Sequence, residues 1–329
     1  MTNLKHSSLH VHYARQPSEK ALAHLKSLLA ETIDLTLGAD LPDPADYHIL
    51  VEGVPAREFV AEAPQLESII IPWAGLPVST RELMLKFPQI SVHNLHHNAG
   101  ATAEMSLALL FAAAKFVVPM DQTMRSGNWT PRYEANPSIS LEGKTALILG
   151  YGSIGRHVGR VLNAMGMRVI GIRRTPQPDD IVEVFGINDL HRLLPETDVL
   201  MVTAPGTPDT NGLIGEQELG LMPKGGILTN VGRGPIVDQK ALYKALKSRH
   251  LHAGGMDVWY NYPSDEESRS NTPPADYPFH ELDNFVMSPH RGGGTRETEL
   301  IRMAALAAAL NSVAQGKPLP NKVNLQAGY

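Results

Sequence analysis

The sequence predicts two doubly wound α/β domains, each a parallel sheet with helices on its faces. Three observations carry that expectation. Short apolar runs rich in β-branched residues alternate with segments of helical spacing along almost the whole chain. The alternation falls into two series, separated by a long apolar stretch near residues 101–118. Within the second series, a glycine-rich turn sits between a strand pattern and a helix pattern.

In the first series, Leu9, Val11 and Tyr13 alternate with polar residues, as in a strand. Residues 18–31 carry Leu22, Leu25, Leu28 and Leu29 at helical spacing, with Ser18 placed to cap the helix. Apolar runs at 48–51, 68–71 and 90–92 read as further strands, with a helix near 80–86 between the last two. One long helix is expected at 101–118; its most apolar part, 105–114, is too short for a bilayer span and reads as core. A loop with Gly127, Trp129 and Pro131 leads to the second series. There, strands at 145–149 and 168–172 flank a helix at 154–165, and further strands fall at 199–203, 226–230, 252–257 and 285–288. The Pro-, Ser- and acid-rich stretch 263–278 reads as an inserted loop. After Gly294 a last apolar helix runs to about residue 313.

A chain of 329 residues is long enough for two domains with separate cores. Apolar residues make up 43% and charged residues 19%, the balance of a folded globular protein. A formal net charge of -5 offers no basic footprint for nucleic acid. The absence of cysteine excludes disulfides, thiolate metal sites and cysteine nucleophiles, and no metal site is read. The first sixteen residues lack the apolar core of a signal peptide. The expectation is therefore a cytoplasmic protein with no membrane partner.

Gly150, Gly152 and Gly155 form G-x-G-x-x-G, with Ser153 and Ile154 between the last two. Following a strand and opening a helix, this spacing is the fingerprint of a Rossmann dinucleotide site. The first glycine permits a tight turn, the second lets backbone approach a pyrophosphate, and the third lets helix and strand pack closely. The helix N-terminus favours the negative charge. The bland alternative is a strand-to-helix turn that happens to hold three glycines. At the end of the next strand stand Arg173, Arg174 and Thr175, where a carboxylate would bind the ribose of NAD. Two guanidinium groups and a hydroxyl suit a 2′-phosphate, so NADP is the preferred cofactor and NAD the alternative.

Several further segments carry a resemblance: LEGKTALILGYGSIGRHVGRVLNAMGMRVIGIRR, TAPGTPDTNGLIG, GGILTNVGRGPIVD, HAGGMDVW, DNFVMSPHRGG and GKPLPNKVN, running in order from about 141 to 324. Together they resemble the D-2-hydroxyacid dehydrogenase family, which includes glyoxylate/hydroxypyruvate reductases, phosphoglycerate dehydrogenases and formate dehydrogenases. The first hundred residues match it mainly by architecture.

The resemblance implies a Rossmann domain, 100–296, inserted into a flavodoxin-like substrate domain, 1–99 with 297–329. It implies reversible reduction of a small 2-oxo acid to a D-2-hydroxy acid in the cleft between the domains. Arg233 matches the arginine that binds the substrate; a planar guanidinium can hold carboxylate and carbonyl oxygens together. His290 matches the acid/base histidine. Ala204, Pro205 and Thr210 match the segment beside nicotinamide and phosphates, Val231 and Asp257 match positions near the nicotinamide, and Gly292 and Gly293 let backbone approach it. Trp73, Ala74, Gly75 and Leu76 fall where backbone N–H groups surround the substrate carboxylate. His96 and His97 read as a solvated pair or as facing the substrate. Relatives commonly form homodimers, and the helix from Ala101 is the expected interface.

One position departs from the pattern. Tyr262 stands where the family usually carries the glutamate that pairs with the histidine. Loss of that carboxylate removes a term favouring imidazolium. Three readings follow: Tyr262 supports His290 through its hydroxyl, one of Asp265, Glu266 and Glu267 reaches back to it, or the chain is a dinucleotide-sensing protein with weakened catalysis.

Overall fold

The computed structural model describes residues 8–329 and divides them into two compact units. The first seven of the sixteen residues read above for a leader thus lie outside the described residues. One unit comprises the chain up to Asn98 together with Thr295–Tyr329; the other is Ala99–Gly294.

In the first unit the order is β1 (Leu9–Tyr13), α1 (Glu19–Leu28), β2 (Ile33–Leu37), β3 (Ile49–Val51), α2 (Glu58–Ala61), β4 (Ser68–Ile71), α3 (Val78–Met84) and β5 (Ser91–Asn94). All five strands are parallel, in the order β2-β1-β3-β4-β5. Alternate side chains feed two cores. Ile49, Val51 and Ile70 face one layer, while Leu50, Ile69 and Ile71 face the other. Burial on both faces is why these strands read as unbroken apolar runs. Ser18 caps α1 as expected, its hydroxyl accepting from the Ala21 N–H.

The second unit opens with α4 (Ala99–Ala114) and α5 (Val117–Arg125). The single helix expected at 101–118 is thus corrected: Phe116 adopts a left-handed conformation (φ 52°) and breaks it. Pro119 lies in the first turn of α5, where its missing N–H costs no hydrogen bond. Then come β6 (Thr145–Leu149), α6 (Ser153–Ala164), β7 (Arg168–Ile172), β8 (Glu183–Phe185), α7 (Leu190–Leu193), β9 (Val199–Val202), α8 (Glu216–Leu221), β10 (Gly226–Asn230), α9 (Gln239–Lys247), β11 (Leu251–Met256) and β12 (Phe285–Met287). These seven strands form one parallel sheet, β12-β11-β10-β9-β6-β7-β8. Strand order reverses between β6 and β9, at whose carboxyl ends open α/β sheets bind ligands. The 263–278 stretch is largely loop and is docked on its own unit: Asp276 bonds Gln239 and Asn261, and Ala275 is buried.

The apolar face of α4 is consumed inside this unit, with Ala103, Leu107, Leu110 and Ala114 in the core. Exposed apolar side chains lie instead on α5 and the loop after it, including Val117, Met124, Trp129 and Tyr133. Among the described residues, no single helix is long and apolar enough to cross a membrane. The last helix, α10 (Thr298–Ala314), belongs to the first unit and lies against α1, where Ser18 bonds Glu299 and Asn311 bonds the backbone of Leu28 and Ala30.

Tyr151, between the first two glycines of the turn, is buried against β7. A Cβ on Gly171 would come within 2.6 Å of its ring. Gly171→Ala should therefore overpack this layer and cost about 1–3 kcal/mol. Urea denaturation tests this, and a midpoint equal to wild type would refute the packing argument.

Candidate active site

The glycine turn joins β6 to α6. Gly150 has φ +100°, and a Cβ there would lie 2.4 Å from the Ala204 backbone, so only glycine fits. A Cβ on Gly155 would come 2.9 Å from the Gly150 carbonyl, whereas one on Gly152 would meet nothing nearer than 3.9 Å. Two glycines are thus required by packing, and the middle one leaves open space above the turn. No side chain caps α6, whose first-turn N–H groups face that end. A closely packed turn, free space and an uncapped twelve-residue helix fit the pyrophosphate of a dinucleotide.

Arg173, Arg174 and Thr175 leave the end of β7. Arg173 donates to Gln177 (3.4 Å), and Arg174 pairs with Asp209 at 3.2 Å, while Thr175 is exposed. The segment itself holds no carboxylate; the fold brings Asp209 to Arg174 from the loop after β9. Ala204 is buried at the start of that loop and Pro205 is exposed. Thr210 braces the loop, donating to the Pro205 carbonyl at 2.8 Å and accepting from the Thr207 N–H at 2.8 Å.

A second cluster is built at the carboxyl ends of β10, β11 and β12. Val231 is buried beyond β10, its N–H bonded to the Val202 carbonyl. Asn230 shapes the next turn, accepting from the Gly232 N–H and donating to the Arg233 carbonyl, both at 2.9 Å. Arg233 itself is exposed; its stem crosses Gly206, where a Cβ would come within 2.8 Å of the Arg233 Cγ.

Asp257 follows β11 and is 2% exposed. Its carboxylate accepts from the Ser288 hydroxyl (2.6 Å), the Arg291 N–H (3.0 Å) and the Gly292 N–H (2.8 Å). Trp259 adds a fourth tie, its indole N–H donating to the Ser288 carbonyl at 2.8 Å. Gly292 has no room for a side chain beside Asp257 and Met105. The loop held this way carries His290 in a left-handed conformation (φ 51°).

His290 Nδ1 lies 2.7 Å from the Tyr262 hydroxyl, which also accepts from the Trp259 N–H at 3.0 Å. Burial first, and then the charge of Arg233, push the His290 pKa below its ordinary value, with Asp257 opposing. Burial raises the Tyr262 phenol, so it stays a neutral partner. The structure thus brings Arg233, Tyr262 and His290 into one electrostatic cluster with Asp257. The acidic residues of the insertion take no part: Asp265 bonds Ser264 and Ser268 in its own turn, and Glu266 pairs with Arg269.

Trp73, Ala74, Gly75 and Leu76 belong to the first unit. The Trp73 indole lies over Gly53 and under the Arg15 guanidinium, 5.5 Å from the ring centroid, and Asn94 donates to the Ala74 carbonyl at 2.7 Å. Arg15 also makes two 3.2 Å bonds to Glu52. Sequence reading passed over Arg15, Glu52 and Asn94, as well as the Asp257 ties to the His290 loop. The available signal was their position at or just beyond the carboxyl ends of strands. His97 is not a solvated surface histidine; Arg302 lies at its Nε2.

Fold and turn together define a two-unit, all-parallel α/β protein with a dinucleotide cradle. A family model described as D-isomer specific 2-hydroxyacid dehydrogenase, NAD binding domain, matches residues 107–292. The chain belongs to the D-isomer specific 2-hydroxyacid dehydrogenase family. Among known proteins, a glyoxylate reductase of Aeropyrum pernix is 41% identical over 68% of this chain and 66% of its own length. A D-3-phosphoglycerate dehydrogenase of Methanocaldococcus jannaschii is 33% identical over 68% of this chain, but that match spans only 41% of the relative. A glycerate dehydrogenase of Methylorubrum extorquens is 30% identical over 82% of this chain and 83% of its own. A solved D-isomer specific 2-hydroxyacid dehydrogenase from Xanthobacter autotrophicus Py2 shares the fold, with TM-score 0.79 at 24% identity over 98% of this chain and 100% of that one.

Asp257→Ala should strand the Ser288 hydroxyl and two backbone N–H groups, costing about 1–3 kcal/mol for each group left unpaired. Amide hydrogen exchange at Arg291 and Gly292 should accelerate more than in the β6 strand. Uniform exchange across both regions would show that Asp257 does not hold this loop.

Proposed function

We propose that this protein is an NADP-dependent reductase that interconverts a small 2-oxo acid and the corresponding D-2-hydroxy acid. The observation that carries the proposal is the 2.7 Å bond between Tyr262 and His290 within reach of the charge of Arg233. When bound, a nicotinamide dinucleotide supplies the hydride. Arg233 holds the substrate carboxylate and polarises its ketone, and His290 delivers the proton that the developing alkoxide requires. Gly150, Gly152, Ser153, Ile154 and Gly155 hold the pyrophosphate, with Ala204, Pro205, Thr210, Val231, Asp257 and Gly292 bordering the nicotinamide end. Trp73, Ala74, Gly75 and Leu76 bind substrate. The partner is a second copy of this chain, docked on the apolar residues of α5 and the loop after it rather than on α4.

Tyr262 is a positioning residue. Its hydroxyl can donate to neutral His290 or accept from the imidazolium, so it orients the ring without fixing its charge. With the pKa of His290 below its ordinary value, the imidazolium population falls as pH rises through a value under about 6.5. Ketone reduction should fall along the same limb. Tyr262→Glu places a negative charge beside Nδ1, which should move that limb to higher pH and raise kcat/KM at neutral pH. A pH profile identical to wild type would exclude this role.

For the cofactor, Arg173→Ser and Arg174→Ser should each weaken NADPH about tenfold while leaving NADH within twofold, as read by fluorescence titration. Equal losses for the two cofactors would remove the 2′-phosphate assignment. The glutamate-to-tyrosine change also favours a second reading, a dinucleotide-sensing protein with little turnover. Steady-state assays with NADPH and a panel of 2-oxo acids separate the two.

A further inference from the structure

The basic segment after β7 faces a carboxylate that works against the cofactor assigned to it. Three pieces of chain are registered to one another here, all within the second unit. The N–H groups of Gly150 and Tyr151 both donate to the Ile172 carbonyl, at 2.9 and 2.8 Å, which fixes the glycine turn to the end of β7. On the other side the Thr203 hydroxyl donates to the Gly150 carbonyl at 2.8 Å, and the Ala204 backbone packs on Gly150. The loop that starts at Ala204 is therefore locked to the same turn, and Thr210 braces it through Pro205 and Thr207. Asp209 stands in the turn so braced, with Oδ2 3.2 Å from Arg174 Nη2. The Asp209 side chain is 79% exposed and that of Arg174 44%, so a ligand in solution can reach the pair and exchange one partner for another.

A carboxylate in this place occupies the guanidinium that a 2′-phosphate needs. NADH, which has a hydroxyl there, meets no such competition. Direct repulsion between two solvated charges is weakened by water and salt, so the occupied guanidinium is the larger effect. Arg173 is not held in this way; it donates to the Gln177 amide oxygen at 3.4 Å. Asp179, a few residues further on, is turned to Tyr151 and Arg156 instead.

We propose that Asp209 is a specificity-determining residue: it competes with the 2′-phosphate of NADPH for Arg174 and so limits the preference for NADPH over NADH. This role rests on the NADP reading above.

The test is Asp209→Asn in the full chain, which keeps the size of the side chain and removes its charge, with fluorescence titration of both cofactors. NADPH should bind about fivefold more tightly, and NADH within about twofold of wild type. On an Arg174→Ser background the same substitution should gain at most about twofold, because the contested guanidinium is gone. An unchanged NADPH affinity in Asp209→Asn, or an equal gain for NADH, overturns the role of Asp209 even if Arg174→Ser selectively weakens NADPH. A full gain that persists without Arg174 overturns the competition. If Arg174→Ser instead weakens both cofactors equally, the NADP reading itself fails, and this role of Asp209 with it.

Discussion

The buried carboxylate of Asp257 is the constraint on which the second cluster depends. A charge nearly withdrawn from water is tolerated only when its lone pairs are filled, and here a hydroxyl and two backbone N–H groups fill them. All three donors come from one short loop, so satisfying the charge also shapes the loop. That shape holds His290 in its left-handed conformation and brings Nδ1 to Tyr262. Tyr262 is located by the Trp259 N–H, two residues beyond the same aspartate. The Asp257 N–H bonds the Asn230 carbonyl, and the Asn230 side chain ties the turn that carries Arg233. Neighbouring strands thereby set guanidinium and imidazole together, and no single loop has to do so alone.

Charge balance in the cluster has a further side. Arg233 disfavours the imidazolium of His290, and Asp257 favours it more weakly. A substrate carboxylate on Arg233 would neutralise the stronger influence and raise the histidine's proton affinity as the site fills. A glutamate beside the ring would keep it charged whether or not substrate is present. With the tyrosine, protonation would depend more on whether an anion sits at Arg233. This is a difference in timing as well as in strength.

Most of the sheet architecture was legible because both faces of the strands are buried. Runs such as residues 68–71 and 145–149 contain little besides apolar residues, and their bounds match β4 and β6. By contrast β2 was passed over: Asp34 and Thr36 interrupt it, and no residue of that edge strand is fully buried. The break at Phe116 was hidden because the apolar run resumes directly after Lys115, although Pro119 marks the start of a new helix. The glycine turn could be read because its chemistry is local. The ion pair of Arg174 with Asp209, and the meeting of Arg302 with Tyr13 and His97, join residues far apart in the chain, which no local window contains. Tyr262 stood out only as a departure from a pattern; its bond to His290 required coordinates.

The return of α10 to the first unit has a consequence for biosynthesis. Leu306 and Leu310 complete the apolar layer formed by Leu9, Val11 and Leu25. A ribosome makes those partners nearly three hundred residues apart. The middle of the chain can therefore reach its native packing while the opening segment still exposes an incomplete apolar face. Until α10 has been made, that face stays without its native cover.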